Sequence, residues 1–316
     1  MIQKVYVACA KEESIKKISS SGGLFYLFAQ NVLHQQGVVY GVRMSEDCYK
    51  AVYERVEKEE ELLSLCGSKY MQAQMGNTLS LVKKDVEEGR IVLFTGTACQ
   101  INGLMKFLGK NYPNLYCIDV ICHGTPSYKL WQKNALAFEQ KHRGKLSEVN
   151  FRSKVTGWSH YGIERELDRK KKFFLPMGLD EYMSLYLKNY ALRPSCYNCK
   201  PKREKLSHIT LGDFWGIENV LPDFDYQMGA SLVIVRDKQG QALLDSIQDV
   251  ILLEEVDYEQ AIVYNPSEYE SASKPIQREL FYQDLEELGY ANFLKKYTSN
   301  SLKIKIKRVL KTKRLK

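Results

Sequence analysis

The chain has no apolar run near the ~20 residues that a helix needs to cross a bilayer, so a helical membrane protein is excluded. Nor does it begin like a secreted chain: Lys4, Lys11, Glu12 and Glu13 stand where a signal peptide needs its apolar segment. The expectation is a chain that begins and stays in the cytoplasm, where thiols are kept reduced. It has no internal repeat and no low-complexity linker, so composition alone marks no domain boundary. It also lacks a Walker loop, a Gly-x-Gly-x-x-Gly, a Ser-His-Asp order, a paired-carboxylate signature and a His-Glu-x-x-His helix. A hydrolase reading therefore has little behind it.

What is there is a globular chain. Of its 316 residues 44% are hydrophobic and 27% charged, enough apolar material for one or two domains. The net charge of +8 is carried by the end of the chain: Lys303, Lys305, Lys307, Arg308, Lys311, Lys313, Arg314 and Lys316 fall in 303–316 without an acidic residue. The remaining 38 basic groups equal the 38 acidic ones, and no basic face interleaved with aromatics points to nucleic acid. In this tail Leu302, Ile306, Val309 and Leu310 recur at helical spacing. It reads either as a helix lying on an anionic membrane surface, at ~1 kcal/mol per basic residue, or as a solvated terminus.

Strand, turn and helix alternate through the first half. Lys4 to Ala8 reads as a strand, Leu24 to Gln36 as a helix, Gly37 to Val42 and Asp47 to Val56 as strands, and Met75 to Glu88 as a helix. Ile91 to Phe94 follows as a buried strand, with a helix opening after Thr95-Gly96-Thr97-Ala98-Cys99-Gln100. Leu115 to Ile121 is another strand and Ser127 to Lys141 another helix. This order predicts an α/β fold, a mainly parallel sheet with helices on both faces. From Ser147 the strands alternate and become more polar, which predicts an antiparallel extension. The organisation expected is a core over 1–236, with an antiparallel insert at 147–192 and a loop at 193–204. A C-terminal αβ and helical region over 237–298 and a basic tail over 299–316 complete it.

Four of the eight cysteines stand out. Cys99 and Cys122 each follow a predicted core strand at its C-terminal end, where open α/β sheets place ligands. Cys196 and Cys199 form a Cys-x-x-Cys in the loop. Four thiolates suit either Zn²⁺ or a cubane iron–sulfur cluster. Two ligands arriving singly from sheet ends favour the cluster over a structural zinc. Cys9, Cys48, Cys66 and Cys117 have no partner at ligand spacing and read as small buried hydrophobes.

Three turns share the same predicted edge. Ser19-Ser20-Ser21-Gly22-Gly23 opens a helix and suits a pyrophosphate, or is an ordinary serine cap. Gly67-Ser68-Lys69-Tyr70 offers a cation and a ring able to stack on a flat heterocycle. Asp213-Phe214-Trp215 is a third aromatic and polar turn, and Gly96-Thr97 precedes Cys99. His123 beside Cys122 is either an acid or hydrogen-bond donor at the site or a structural histidine.

These stretches carry a likeness. Ser20-Ser-Gly-Gly, Gly37-Val-Val-Tyr-Gly, Gly67-Ser-Lys-Tyr, Phe94-Thr-Gly-Thr-Ala-Cys-Gln, Asp119-Val-Ile-Cys-His-Gly-Thr-Pro-Ser, Phe151-Arg, Arg193-Pro-Ser-Cys-Tyr-Asn-Cys-Lys and Ile209-Thr-Leu-Gly-Asp-Phe-Trp-Gly run in order over about residues 5 to 236. The chain resembles the beta subunit of the deazaflavin (coenzyme F-420) hydrogenase and dehydrogenase family. The resemblance implies an oxidoreductase in which FAD passes electrons between a [4Fe-4S] cluster and an organic acceptor. Cluster ligands map onto Cys99, Cys122, Cys196 and Cys199. Cofactor contacts map onto Ser20, Ser21, Gly22 and Gly23, onto Ser68, Lys69 and Tyr70, and onto Gly96, Thr97, Gln100 and Asp213, with His123 as the catalytic candidate. Many relatives begin with a ferredoxin-like module of Cys-x-x-Cys-x-x-Cys-x-x-x-Cys-Pro runs, and no such run occurs here. That implies a separate ferredoxin-like electron donor. Short bacterial members of this kind sit among genes for surface polysaccharides, which implies a sugar-derived substrate. The competing class is a scaffold protein stapled by zinc or a cluster.

Overall fold

The computed structural model describes residues 4–298; the basic tail expected at 299–316 lies outside the described residues, and so does its membrane reading. Nine strands build the main sheet. In chain order they are β1 (Lys4–Ala10), β2 (Val38–Met44), β3 (Ala51–Val56), β4 (Ala73–Gln74), β5 (Val92–Thr97) and β6 (Leu115–Val120). A separate three-stranded antiparallel sheet then intervenes, of β7 (Leu146–Ser153), β8 (Gly162–Leu167) and β9 (Lys171–Pro176). The main sheet resumes with β10 (Ile209–Asp213), β11 (Ser231–Val235) and β12 (Ile251–Glu255).

The spatial order is β12-β1-β11-β10-β6-β5-β2-β3-β4. Its centre, β10-β6-β5-β2, is parallel, as crossovers through helices require. Antiparallel strands flank that centre: β11 beside β10, β1 between β11 and β12, and β3 beside β2. Residues 251–255, from the region expected as separate, supply an edge strand of the same sheet.

Both faces are covered, and the alternation of side chains shows how. Val38 and Tyr40 of β2 and Val92 and Phe94 of β5 pack with the helices Ala98–Leu108 and Tyr128–His142. Val39 and Leu93, pointing the other way, pack with the helices Leu24–His34 and Lys238–Asp245. Strands buried on both faces read as unbroken apolar runs, which is why residues 91–94 were legible as one.

The strand expected from Asp47 begins only at Ala51. Asp47 accepts hydrogen bonds from the Ser45 hydroxyl and the Tyr49 N–H, and Cys48 takes φ 58°, so residues 45–50 form a turn. The small sheet docks through a buried ion pair: Arg165 meets Asp180 at 2.7 Å and donates to Asn134 of the helix Tyr128–His142. Phe281, Leu285, Phe293 and Tyr297 from the last two described helices join the same core.

Candidate functional site

The site is the rim at the C-terminal ends of β5, β6 and β10. Thr97 stands opposite Val120 in the β5–β6 ladder, so Cys99 and Cys122 each lie two residues beyond a matched pair. Thr97 and Gln100 form a capping box that starts the helix Ala98–Leu108. That sets Cys99 in the first turn, exposed, at the positive end of the helix dipole. The Thr97 hydroxyl lies 3.1 Å from its sulfur.

The Cys-x-x-Cys loop hangs on the residues after Cys122. Ser127 N–H donates to Ala191, Arg193 N–H donates to Thr125, and Pro126 bridges Leu192. Thr125 N–H reaches the Cys196 sulfur at 3.4 Å, Cys199 N–H donates to the Ser271 hydroxyl at 2.9 Å, and the Lys202 ammonium donates to the Cys122 carbonyl at 2.7 Å. Three chain segments, each tied to another, bring the four cysteines to one rim.

The thiols feel one another. Burial pushes the Cys122 thiol up to about 12; the Lys202 charge opposes this, and Cys196 and Cys99 add to it. Burial also raises Cys196, the Thr125 N–H opposes, and Cys199 and Cys99 push it higher. Among the described residues no three His, Cys, Asp or Glu side chains stand at metal-ligand spacing, so the thiols share a rim without being drawn onto one centre. As a donor set, four sulfurs with a lysine beside them fit a soft-metal or iron–sulfur group. Cys9, Cys48 and Cys117 are buried in the cores, with burial pushing Cys9 and Cys48 up to about 11.

His123 is enclosed. Its Nε2 lies 2.6 Å from Asn189 Oδ1, while the Asn189 amide N–H donates to Ser273, so the proton sits on the histidine Nε2 and Nδ1 is left as an acceptor. Burial lowers its pKa, with the Asn189 bond opposing. Its ring stands edge-on to Tyr186 at 5.3 Å.

The expected nucleotide contacts divide. Ser20 and Ser68 come together: the Ser68 N–H donates to Ser20 Oγ at 2.9 Å, and the two hydroxyls are 3.0 Å apart. Arg152 links this pair to Asp213, donating to the Ser20 carbonyl at 3.3 Å and to Asp213 at 2.8 Å. Its guanidinium lies 3.7 Å over the Tyr161 ring, with Trp215 beyond. Tyr70 packs against Tyr186 and Phe151.

Other members of the set turn inward. The expectation of Lys69 as a cation for phosphate is corrected: its ammonium donates to the carbonyls of Ser64, Leu65 and Cys66 and closes a helix end. Ser21 donates to Ala230. Gly22 is held by close backbone approach, since a Cβ there would lie 2.6 Å from the Ala8 oxygen. Gly23 takes φ 95° at the start of the helix Leu24–His34. Gly96 leaves room for the Tyr53 hydroxyl, and Gln100 is occupied in the capping box. Arg152, and not Lys69, is the cation that reaches Ser20 and Asp213. The Phe151-Arg152 pair was its only signal, and nothing local announces that it crosses to Ser20.

Residues 5–80 match the model of the coenzyme F420 hydrogenase/dehydrogenase beta subunit N-terminal region, and residues 89–261 that of its C terminus. The chain is 25% identical over 246 residues to a coenzyme F420-dependent sulfite reductase of Methanocaldococcus jannaschii, covering 75% of this chain and 36% of that one. It thus spans about a third of that relative's length. A structure of the F420-reducing [NiFe] hydrogenase complex from Methanosarcina barkeri includes a chain of the same fold, with TM-score 0.55, 15% identity and coverage of 90% and 89% of the two chains. With both family regions matched in order along it, the chain belongs to the coenzyme F420 hydrogenase/dehydrogenase beta subunit family.

Proposed function

We propose that this chain is an iron–sulfur flavoprotein oxidoreductase, holding one [4Fe-4S] cluster through Cys99, Cys122, Cys196 and Cys199 beside an FAD. The observation that carries the reading is the gathering of these four thiols, from three separate segments, on one rim. Ser20, Ser68, Arg152 and Asp213, with the rings of Tyr70, Tyr161 and Trp215, supply hydroxyls, a cation and flat faces for the flavin nucleotide. Together such groups supply a change from single-electron to hydride chemistry.

The chain's own residues do the positioning. Lys202 sets a positive charge beside Cys122, which favours its ionised, ligating form. Arg152 keeps its charge: burial acts to lower its pKa, and Asp213, Tyr70 and Tyr161 together outweigh that and raise it. His123 remains neutral and holds its Nε2 proton against Asn189. A separate electron-carrying protein is the proposed partner, in line with the relative's place in a hydrogenase complex. The proposed acceptor is a small organic molecule, with coenzyme F420 the first to assay and a sugar-derived intermediate the second.

The test is an absorption spectrum of protein purified without oxygen, with iron, sulfide and zinc assayed on the same sample. Flavin bands over a broad shoulder that bleaches on reduction, with matching iron and sulfide, are expected. A colourless sample holding zinc overturns the redox reading and leaves a stapled scaffold.

A further inference from the structure

A cavity of about 910 Å³ lies away from the flavin-side residues, between the second half of the helix Ala98–Leu108, the segment 202–208 and the turn at 236–237. It reaches the N-terminal end of β10, whereas Ser20, Ser68 and Arg152 stand near the opposite strand ends. Its volume is that of a small-molecule site. Its walls are fixed. Asn102 on the helix donates to the Glu204 carbonyl at 2.7 Å and accepts from the Leu206 N–H at 3.0 Å, and Gln239 donates to the Pro113 and Leu115 carbonyls.

The lining is cationic where it meets solvent. Lys106 in the last turn of the helix, Lys110 just beyond its end, and Arg203 are exposed along it. Of the acids there, Glu268 pairs with Arg236 and Lys205, Asp237 accepts from the Gly240 N–H at 2.7 Å and lies 3.9 Å from His208 Nε2, and Glu204 is exposed at the rim. Deeper in, Ser207 is only 3% exposed, and its hydroxyl finds no hydrogen-bond partner among the described residues. A buried hydroxyl without a partner is costly. His208 beside it accepts the Cys117 N–H at Nδ1, so its neutral ring carries a proton on Nε2. Tyr258 and Tyr269 border the cavity as apolar faces.

We propose that this cavity binds a phosphorylated small molecule. The phosphate is met by Lys106, Lys110 and Arg203 together with the Ser207 hydroxyl, and the organic part rests against Tyr258 and Tyr269. Lysine and arginine around a phosphate form charge-assisted bonds stronger than neutral ones.

The experiment is calorimetric titration of the full chain as purified against glucose 1-phosphate and against inorganic pyrophosphate. Saturable binding of glucose 1-phosphate is expected. It should weaken about ten-fold or more in Lys106→Gln/Arg203→Gln, where two charge-assisted contacts are lost, and also in Ser207→Ala. Metal content and thermal midpoint should be unchanged in the double variant, whose altered side chains are exposed. Absence of binding at millimolar glucose 1-phosphate, binding of pyrophosphate alone, or an unchanged affinity in the double variant each overturns the assignment.

Discussion

The Lys202 ammonium donates to the Cys122 carbonyl oxygen at 2.7 Å. A residue three positions after Cys199 thus holds the backbone of a cysteine from another segment, and its charge opposes the rise that burial imposes on that cysteine's thiol. Replacing it with methionine removes the bond and the charge while keeping the stem. Lys202→Met is expected to carry less iron per chain and to show a lower reduction potential, and Lys202→Arg to retain most of both. Redox titration with an iron assay measures this.

Cys199→Ser should lose nearly all iron and sulfide, because oxygen is a poor substitute for a soft thiolate ligand. Cys48→Ser should keep them, at a cost of about 1–3 kcal/mol for burying a hydroxyl in an apolar core. Iron loss in the Cys48 variant would overturn the ligand assignment.

Arg152→Lys tests the flavin side. Lysine cannot both lie flat on Tyr161 and reach Ser20 and Asp213 as the guanidinium does. Flavin affinity is expected to fall about ten-fold, equivalent to one charge-assisted contact, with iron content unaffected. Fluorescence of released flavin reads the first and a colorimetric assay the second.

Two glycines should respond oppositely to alanine. At Gly22 the new methyl meets the Ala8 oxygen at 2.6 Å and the Ser231 nitrogen at 3.0 Å, which costs about 1–3 kcal/mol by overpacking. At Gly103, inside the helix Ala98–Leu108, nothing lies within 4 Å, and alanine should stabilise by roughly 0.5–1 kcal/mol. Urea midpoints with unchanged slopes decide both.

Asp119 provides a pH dependence. It is fully buried beside Lys205 at 4.0 Å, and burial raises its pKa above the usual 3.8, with Lys205 opposing. Folding therefore favours the protonated acid. Stability from this group is fully present below pH 3.8 and is lost as pH rises through the folded-state value. An asparagine side chain has no charge to desolvate, so the stability of Asp119→Asn relative to the parent should grow as pH rises above about 4. Urea unfolding across a range from about pH 4 to about pH 8 measures the difference; a constant offset would show that Asp119 is charged in the fold throughout.

Much of this molecule was legible along the chain because its signals are local. Apolar runs at 91–94 and 115–121 announce strands buried on both faces, and helical spacing after Gly23 and Thr97 announces the crossovers. The same order puts Cys99 and Cys122 at strand ends, and Cys196-x-x-Cys199 is a spacing visible by eye. The place of β1 was not legible, since its partners β11 and β12 lie at the far end of the described chain and antiparallel pairing leaves no local mark. Lys69 misled for a related reason. In sequence it is a cation in a polar turn, and only the fold supplies the three carbonyls that turn it inward.

By itself, then, the sequence determined the α/β alternation, the four cysteines and the family, all of which are written in residue type and near spacing. The tertiary structure decided what depends on distant segments meeting. It chose Arg152 over Lys69 as the cation between Ser20 and Asp213, fixed Lys202 on Cys122, and opened the cavity beside Ser207. A hydrogen bond or an ion pair acts over a few ångströms of space, and separation along the chain carries no record of it.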